Sequence, residues 1–587
     1  MREVSGGTFN GNDWLVVLVF TAMMLGVVIY AVRSKPKSGQ DYFLAGRGSN
    51  WLQIGTSIFS SNIGSEHLVG LAGAGFASGM AMAHWEIQSW LILVLGWVFV
   101  PLYDRMKVFT MPEFLELRFS RGSRNVLSLL TIASLVLTKI AVTIYAGDVV
   151  VRTLLGIDRV NVLGYQIDVF WVIALGLALT TGLYTVLGGL RVIMYTAVLQ
   201  APVLILGSLC ILYVGLTSLG HGSLIAGWRA MLHTAGSNVH LIRPLQDPDW
   251  SWAAVLPGSA IIGFWYWCTD QYIVQRVLAG KSQRDSRRGA ILAAFLKLTP
   301  VFIFLVPGMV AYALTKAPGS AFSTNGDAAY TSLVTQILPH GLRGMVACSM
   351  IVALMASLAS KFNAAATLVT MDFFRERYPN AAGRTEVLVG RAATIGIVVL
   401  GVCWVLVIKS LHSDLYVYLQ SVQGYLSPAI AALFLLGVFW TRATAPAALC
   451  ALVVGVVGGF ARLAADILMR GDGAAVASLK RQLYAHAVTL PQYNASIEPI
   501  RERHGWVFGF WSIHWLYYTQ FLFVVTAATL IIVSLLTPPP GPRVRRFTMY
   551  GATPDEKAEI RASWNGVDVV LSLLVIALVL LFYVAFR

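Results

Sequence analysis

The sequence has little charge for its length. Only 12% of its 587 residues are Asp, Glu, Lys or Arg, whereas soluble domains average about 25%. Hydrophobic residues make up 57%, and the mean hydropathy is +0.70. A water-soluble globular protein could not bury this much apolar surface, so that class is excluded. The basic residues behind the net charge of +15 lie in short loops between apolar runs, which indicates orientation in a lipid bilayer and no nucleic-acid partner.

Cysteines are few and lack the spacing of a metal site or a disulfide framework. All five lie inside apolar stretches without a CxxC pair, as small apolar residues of helices do: Cys210, Cys268, Cys348, Cys403 and Cys450. The sequence also lacks a nucleotide motif, a nucleophile elbow and a cluster of metal ligands, which argues against an enzyme and an organic cofactor. The first apolar run lacks a basic segment before it and a cleavage site, so we expect a retained helix.

Long apolar runs recur along the whole chain. A spanning helix needs about 20 apolar residues, and the runs predict an all-α polytopic membrane protein with fourteen transmembrane helices: 13–32, 51–72, 78–103, 125–147, 168–187, 192–219, 253–275, 289–314, 344–372, 387–408, 412–438, 443–468, 510–536 and 564–586. Lys and Arg concentrate in the odd-numbered loops, so these are expected in the cytoplasm and both termini outside. We therefore expect a multi-pass protein of a plasma membrane or a bacterial inner membrane.

Two of the predicted spans contain polar residues and glycine in their middle. The second includes residues 60–67 (SSNIGSEH), and the seventh includes residues 263–271 (GFWYWCTDQ). Unpaired backbone at bilayer depth is costly unless it lines a cavity. Each interrupted span begins a run of five, so the second run has inverted topology, and such helices at matching places of two halves indicate a transport site. Two unrelated kinks in a receptor or an enzyme scaffold are the alternative.

Few ionisable or amide side chains lie within the spans. An acid, a base and several amides are isolated there: Asn62, His67, Glu86, Lys297 and Gln420. Such groups both donate and accept hydrogen bonds, as a ligand with many hydroxyl groups requires. Tyr266 and Trp267 add flat faces on which the C–H surface of a sugar can rest. A structural ion pair between Glu86 and Lys297 without a ligand is the alternative. Lys139 also lies within a span, and no role is assigned to it.

Several longer motifs occur along nearly the whole chain. They are 41–47 (DYFLAGR), 61–65 (SNIGS), 188–190 (GGL), 266–271 (YWCTDQ), 273–276 (IVQR), 370–372 (TMD) and 534–537 (SLLT). Together they resemble the sodium/solute symporter family, in its sodium/glucose cotransporter branch. This resemblance implies a LeuT-type fold with a 5+5 inverted repeat, one extra helix before it and three after. The expected divisions are 1–50 (helix and cytoplasmic loop), 51–219 (first repeat), 220–252 (outer loop), 253–438 (second repeat) and 439–587 (three helices with outer loop 469–509).

The resemblance implies a sugar site at the polar residues named above. The sugar-binding positions of the family match Asn62, His67, Glu86, Lys297 and Gln420, with Ser89 as a minor contact. Tyr266, beside Trp267, matches the aromatic residue that closes the site from the inside. The outer gate matches Leu71, Trp85 and Tyr416. Gly263 stands where relatives carry Asn or Thr, so one hydroxyl contact is expected to be missing or replaced by water.

The resemblance also implies a sodium site, which is incomplete in this sequence. Its ligands would be two consecutive hydroxyls and the carbonyls of Ser60, Ile63 and Ala353. The hydroxyl pair reads Ala356–Ser357, and Ala197 replaces an acid that supports the ion in relatives. A hard cation prefers five or six oxygens and nearby negative charge. Lys361 lies one helical turn after Ser357, so its ammonium either occupies the cation space or faces the cytoplasmic vestibule.

These features predict a secondary active transporter that carries a monosaccharide, expected to be a hexose, by alternating access, as sodium/sugar symporters do. The incomplete ion site predicts weak or absent coupling to sodium, because an ion shifts a conformational equilibrium only by its differential affinity for the two states. A sodium-independent facilitator and a sugar sensor with the same pocket are alternatives. A membrane receptor or enzyme is the alternative from another class, and solute flux into sealed vesicles would separate it from a transporter.

Overall fold

The computed structural model describes residues 9–64, 66–162, 164–317, 320, 322, 326–409, 415–484 and 487–587. These residues form a bundle of helices with one small β-hairpin. Its strands, β1 (Arg159–Val162) and β2 (Tyr165–Asp168), pair antiparallel with Arg159 opposite Asp168. The hairpin connects two predicted spans, and the described residues of the spans are mainly helical, as the apolar runs predict.

The helices follow one another along the whole described chain. Those of the first part are α1 (Gly11–Val32), α2 (Gly39–Phe43), α3 (Trp51–Asn62), α4 (Ala72–Ser78), α5 (Ser89–Val94), α6 (Val100–Met106), α7 (Met111–Arg118), α8 (Arg121–Ser134), α9 (Ala141–Leu155), α10 (Val169–Leu219) and α11 (Leu224–Ala235). Those of the central part are α12 (Trp252–Cys268), α13 (Gln271–Leu278), α14 (Gln283–Leu296), α15 (Val306–Thr315), α16 (Ala329–Ile337), α17 (Leu342–Leu368), α18 (Arg375–Arg377), α19 (Gly383–Lys409) and α20 (Leu415–Phe439). Those of the last part are α21 (Ala445–Leu468), α22 (Arg470–Tyr484), α23 (Leu490–His504), α24 (Trp506–Ser512), α25 (Trp515–Leu536), α26 (Pro554–Ala562) and α27 (Gly566–Ala585).

Among the described residues, 11 continuous helical stretches are long and apolar enough to cross a membrane. One of them, α10, has 51 residues, which at 1.5 Å per residue is more than twice the length that a bilayer core of about 30 Å requires. It breaks at Gly189, whose φ is +56°. A Cβ atom there would lie 2.3 Å from the carbonyl oxygen of Tyr42, so only glycine fits. The break separates two predicted spans, 168–187 and 192–219. The total of fourteen spans stays a prediction.

Both predicted interruptions are present. After α3 the chain is extended at Ile63 (φ −74°, ψ 114°), and a π-helical segment begins at Glu66. After α12 it is extended at Asp270 (φ −74°, ψ 127°), and α13 begins at the next residue. The polar residues at these two places break the helical hydrogen-bond pattern, as their composition predicts. The division into two inverted repeats stays a prediction.

Long helices pack side by side around these interruptions. Helix α10 lies along α17, and α3 lies along α14. Helices α20, α21 and α25 form a second group, which reaches α12. The segment 469–509, expected to be an outer loop, contains α22 and α23. The interrupted ends of α3 and α12 therefore lie inside the helical bundle.

Candidate solute-binding site

A cavity lies beside the interrupted end of α3. Its accessible volume is about 40 Å³, below the range of about 300–1,000 Å³ typical of small-molecule sites, so its walls lie close together in this structure. Its lining consists of Asn62, Glu66, His67, Trp85, Glu86, Gln88, Ile262, Gly263, Tyr266, Trp267, Lys297, Gln420 and Gln423. The polar and aromatic residues that the sequence predicts as a sugar site thus meet at one cavity, although they come from five different predicted spans.

Lys297 lies at the centre of the polar groups of the cavity. Its Nζ donates to Glu86 Oε2 at 2.5 Å and to Asn62 Oδ1 at 3.0 Å. His67 Nε2 lies 3.2 Å from the same oxygen of Glu86. All four side chains are buried. Glu86 and Lys297 therefore form the ion pair that the alternative of a purely structural role requires, and both residues also line the cavity.

Irregular helix geometry places this pair. Glu86 directly follows a 3₁₀ segment, Gly79–Trp85. Lys297 directly follows the last residue of α14 and lies four residues before the π-helical segment Val301–Leu305. Such departures from α-helical geometry are frequent at functional sites. They bring the acid and the base of two separate spans to one point.

Aromatic rings form one wall of the cavity. The Tyr266 hydroxyl accepts a hydrogen bond from Asn62 Nδ2 at 2.7 Å and contacts the hydroxyl of Tyr272. The ring of Trp267 meets that of Tyr266 edge to face, with centroids 4.8 Å apart. Lys297 Nζ lies 5.3 Å from the centroid of Trp267. The hydrogen-bonded network therefore continues directly into two aromatic faces.

Gln88 also lines the cavity, although the sequence pattern does not predict it. Its Nε2 donates to the carbonyl of Ser259 at 2.7 Å, and a Cβ atom on Gly263 would lie 2.2 Å from its Oε1. The space beside Gly263, where one hydroxyl contact is expected to be missing or replaced by water, is therefore taken by the amide of Gln88. Gln88 comes two residues after Glu86, a spacing that puts side chains on different faces of an α-helix. Here the chain leaves α-helical geometry at Gln88 (φ −73°, ψ 18°), so both line the cavity.

The predicted gate residues are placed differently from one another. Trp85 lines the cavity and stacks on Trp515 of α25, with centroids 6.0 Å apart. Leu71 and Ser89 are buried but do not line the cavity. Tyr416 belongs to α20, and its side chain lies outside the described residues. Of the predicted gate residues on the outer side, Trp85 is the one that the described structure places at the cavity, where it packs against a helix that follows the predicted repeats. Its role as a gate stays a prediction.

Two buried lysines pair with acids that were not among the predicted site residues. Lys139 Nζ donates to Asp270 Oδ2 at 2.5 Å, at the interruption between α12 and α13. Lys361 is fully buried instead of facing a vestibule, and its Nζ donates to Glu66 Oε1 at 3.2 Å. Glu66 also lines the cavity. Each acid stands in one of the two polar interruptions, which is the signal that could have indicated a buried partner.

Comparison with known proteins identifies the family of this chain. The family model described as "Sodium:solute symporter family" matches residues 42–455. The chain belongs to the sodium:solute symporter family. Symporters are transporters, so the expectation that this chain is not an enzyme is confirmed.

Two related symporters match over nearly the whole chain. The sodium/myo-inositol cotransporter 2 of Oryctolagus cuniculus is 34% identical over 559 residues, which cover 90% of this chain and 77% of the relative. The sodium/myo-inositol cotransporter of Homo sapiens is 34% identical over 578 residues, which cover 92% and 75%. A solved Na⁺-coupled sialic acid symporter, in a substrate-bound outward-open state, has a TM-score of 0.69 at 20% identity and covers 90% of this chain and 99% of its own. It supports the transporter fold.

Proposed function

We propose that this symporter carries a neutral polyol with a six-membered ring, a cyclitol such as myo-inositol or a hexose, across the membrane by alternating access. The observation that carries the proposal is the cavity in which the Glu86–Lys297 pair, Asn62 and Gln420 meet the rings of Tyr266 and Trp267. Carboxylate, ammonium and amide groups supply both donors and acceptors, which each ring hydroxyl needs. The rings supply apolar faces for the C–H surface of the solute.

The charges of the cavity favour a neutral solute. Lys297 is the only lysine or arginine among the described residues that line it, and Glu86 already neutralises its ammonium. A carboxylate or phosphate would need an unpaired cation or the N-terminus of a helix. The rabbit and human relatives are both named as myo-inositol cotransporters, and myo-inositol carries a hydroxyl on every ring carbon.

The test is uptake of labelled myo-inositol and glucose into proteoliposomes that contain the purified chain. We expect saturable uptake of at least one of them, and loss of about ten- to hundredfold in affinity in Gln420→Ala, because a hydroxyl left unpaired in a buried site costs about 1–3 kcal/mol. Gln200→Ala is the matched control, since Gln200 is a buried glutamine that does not line the cavity. Equal affinity in both variants would contradict the proposed site.

The family description and both relatives name sodium, so sodium is the first coupling ion to test. The uptake assay is therefore run with an inward sodium gradient and with choline in its place. Accumulation above equilibrium requires an ion that binds the two conformations differently and crosses with the solute.

We also propose the topology that the loop charges predict, with both termini on the outer side.

A further inference from the structure

Lys361 connects three elements deep in the bundle. It is fully buried in α17, and its ammonium donates to Glu66 of the π-helical segment at 3.2 Å and to Thr143 of α9 at 2.9 Å. A lysine in such a place is held by its partners, since removing one partner of a buried pair leaves an uncompensated charge. The pair therefore joins α17 to the interrupted second span.

These are the two elements between which the sodium site is expected. Ser357 precedes Lys361 by one turn, and its Oγ lies 2.5 Å from the place that a Cβ atom on Gly64 would take. Glu66 Oε2 lies 3.4 Å from the same place. The hydroxyls of Ser60 and Ser357 are buried without a hydrogen-bond partner among the described residues. Ser357, the carboxylate of Glu66 and the ammonium that pairs with this carboxylate therefore form one cluster beside Gly64.

This cluster does not fit a sodium ion. Ala356 supplies no second hydroxyl, and Ala197, which is buried, supplies no carboxylate. Glu66 could supply negative charge, but its carboxylate is already paired with Lys361. A second cation beside a buried ammonium would be repelled with little screening by solvent.

We propose that the ammonium of Lys361 permanently supplies the positive charge that the family takes from a sodium ion, so that solute flux through this chain is independent of sodium. A side-chain ammonium stays on α17 throughout the cycle and is not released with the solute. It stabilises the contact between α17 and the second span but transfers no energy from a sodium gradient. The test of this inference by solute uptake rests on the proposed function, whereas its test by sodium binding does not.

The first experiment measures binding of radiolabelled sodium to the purified full chain across millimolar concentrations. We expect no saturable binding in the wild type or in Lys361→Arg, which keeps the charge. Lys361→Met frees the carboxylate of Glu66, so we expect saturable binding there with at least about tenfold higher affinity than any wild-type signal. The matched control is Lys361→Met with Glu66→Gln, which removes both charges and should lose that binding.

The second experiment compares solute uptake in sodium and in choline. Equal rates in the wild type are expected, and accumulation driven by a sodium gradient would overturn the inference. Saturable sodium binding in the wild type that Lys361→Met does not strengthen would overturn it as well. If Lys361→Met does not purify as a single folded species, sodium binding by the wild type and by Lys361→Arg decides. Absence of saturable binding in both supports the inference, and saturable binding overturns it. Absence of solute flux together with the expected ion binding would refute the proposed function and leave this inference standing.

Discussion

Gln88 occupies the space that a side chain at position 263 would need. Its Oε1 would lie 2.2 Å from a Cβ atom on Gly263, and its Nε2 is held by the carbonyl of Ser259. The two positions therefore share one volume at the wall of the cavity. The amide at this wall comes from Gln88, which lies in the same predicted span as Glu86. The family resemblance implies that it would come from position 263 in α12.

This shared volume predicts a compensating pair of substitutions. Gly263→Asn alone should destabilise the protein by about 1–3 kcal/mol, because the added atoms overpack the wall, and should weaken solute binding. Adding Gln88→Ala should recover both, since the amide then comes from position 263. Thermal unfolding and calorimetric solute binding measure the two effects, with Gln88→Ala as the single control. Full affinity in Gly263→Asn alone would show that Gln88 moves aside freely.

Glu86 and Lys297 should behave as one unit. Removing either partner of a buried ion pair costs about 3–5 kcal/mol, so Glu86→Gln and Lys297→Met should each lower stability and solute affinity. The double variant should lose clearly less than the sum of the two, because neither charge is then left alone. Chemical unfolding and binding of the four proteins give this coupling energy. Strictly additive losses would contradict a shared network.

Tyr266 should contribute more through its ring than through its hydroxyl. Tyr266→Phe removes the acceptor of the 2.7 Å hydrogen bond from Asn62 but keeps the aromatic face. We expect a mild fall in uptake, consistent with about 1 kcal/mol for one hydrogen bond, and a severe fall in Tyr266→Ala, which loses the face as well. Initial rates in proteoliposomes, corrected for protein incorporated, measure both. Equal rates in the two variants would contradict the stacking role.

Sodium dependence should be restorable. Ala356→Ser adds the missing hydroxyl, and Ala197→Asp adds the missing carboxylate, but Lys361 would still compete for the site. We therefore expect little response to sodium in this double variant and a clear response once Lys361→Met is added. Solute uptake is measured against sodium concentration in wild type, double and triple variants. A triple variant that binds the solute but ignores sodium would show that the ion site lies elsewhere.

Much of the candidate site could be predicted from sequence because polar groups are rare in apolar runs. Burying one at bilayer depth is costly, so Asn62, His67, Glu86, Lys297 and Gln420 already stand out in a chain with 12% charged residues. The same cost makes the two polar interruptions visible. Their places, directly after α3 and between α12 and α13, agree with the structure.

The membrane character, the helical fold and many, but not all, residues of the cavity thus follow from local composition and spacing. Only the tertiary structure decides which buried charges meet, because partners come from distant parts of the chain. Lys361 and Glu66 are 295 positions apart, and Lys139 and Asp270 are 131 apart. Their contacts depend on which helices become neighbours and on non-helical turns that redirect single side chains. For the same reason, the exchange of space between Gln88 and Gly263 cannot be seen in either segment alone.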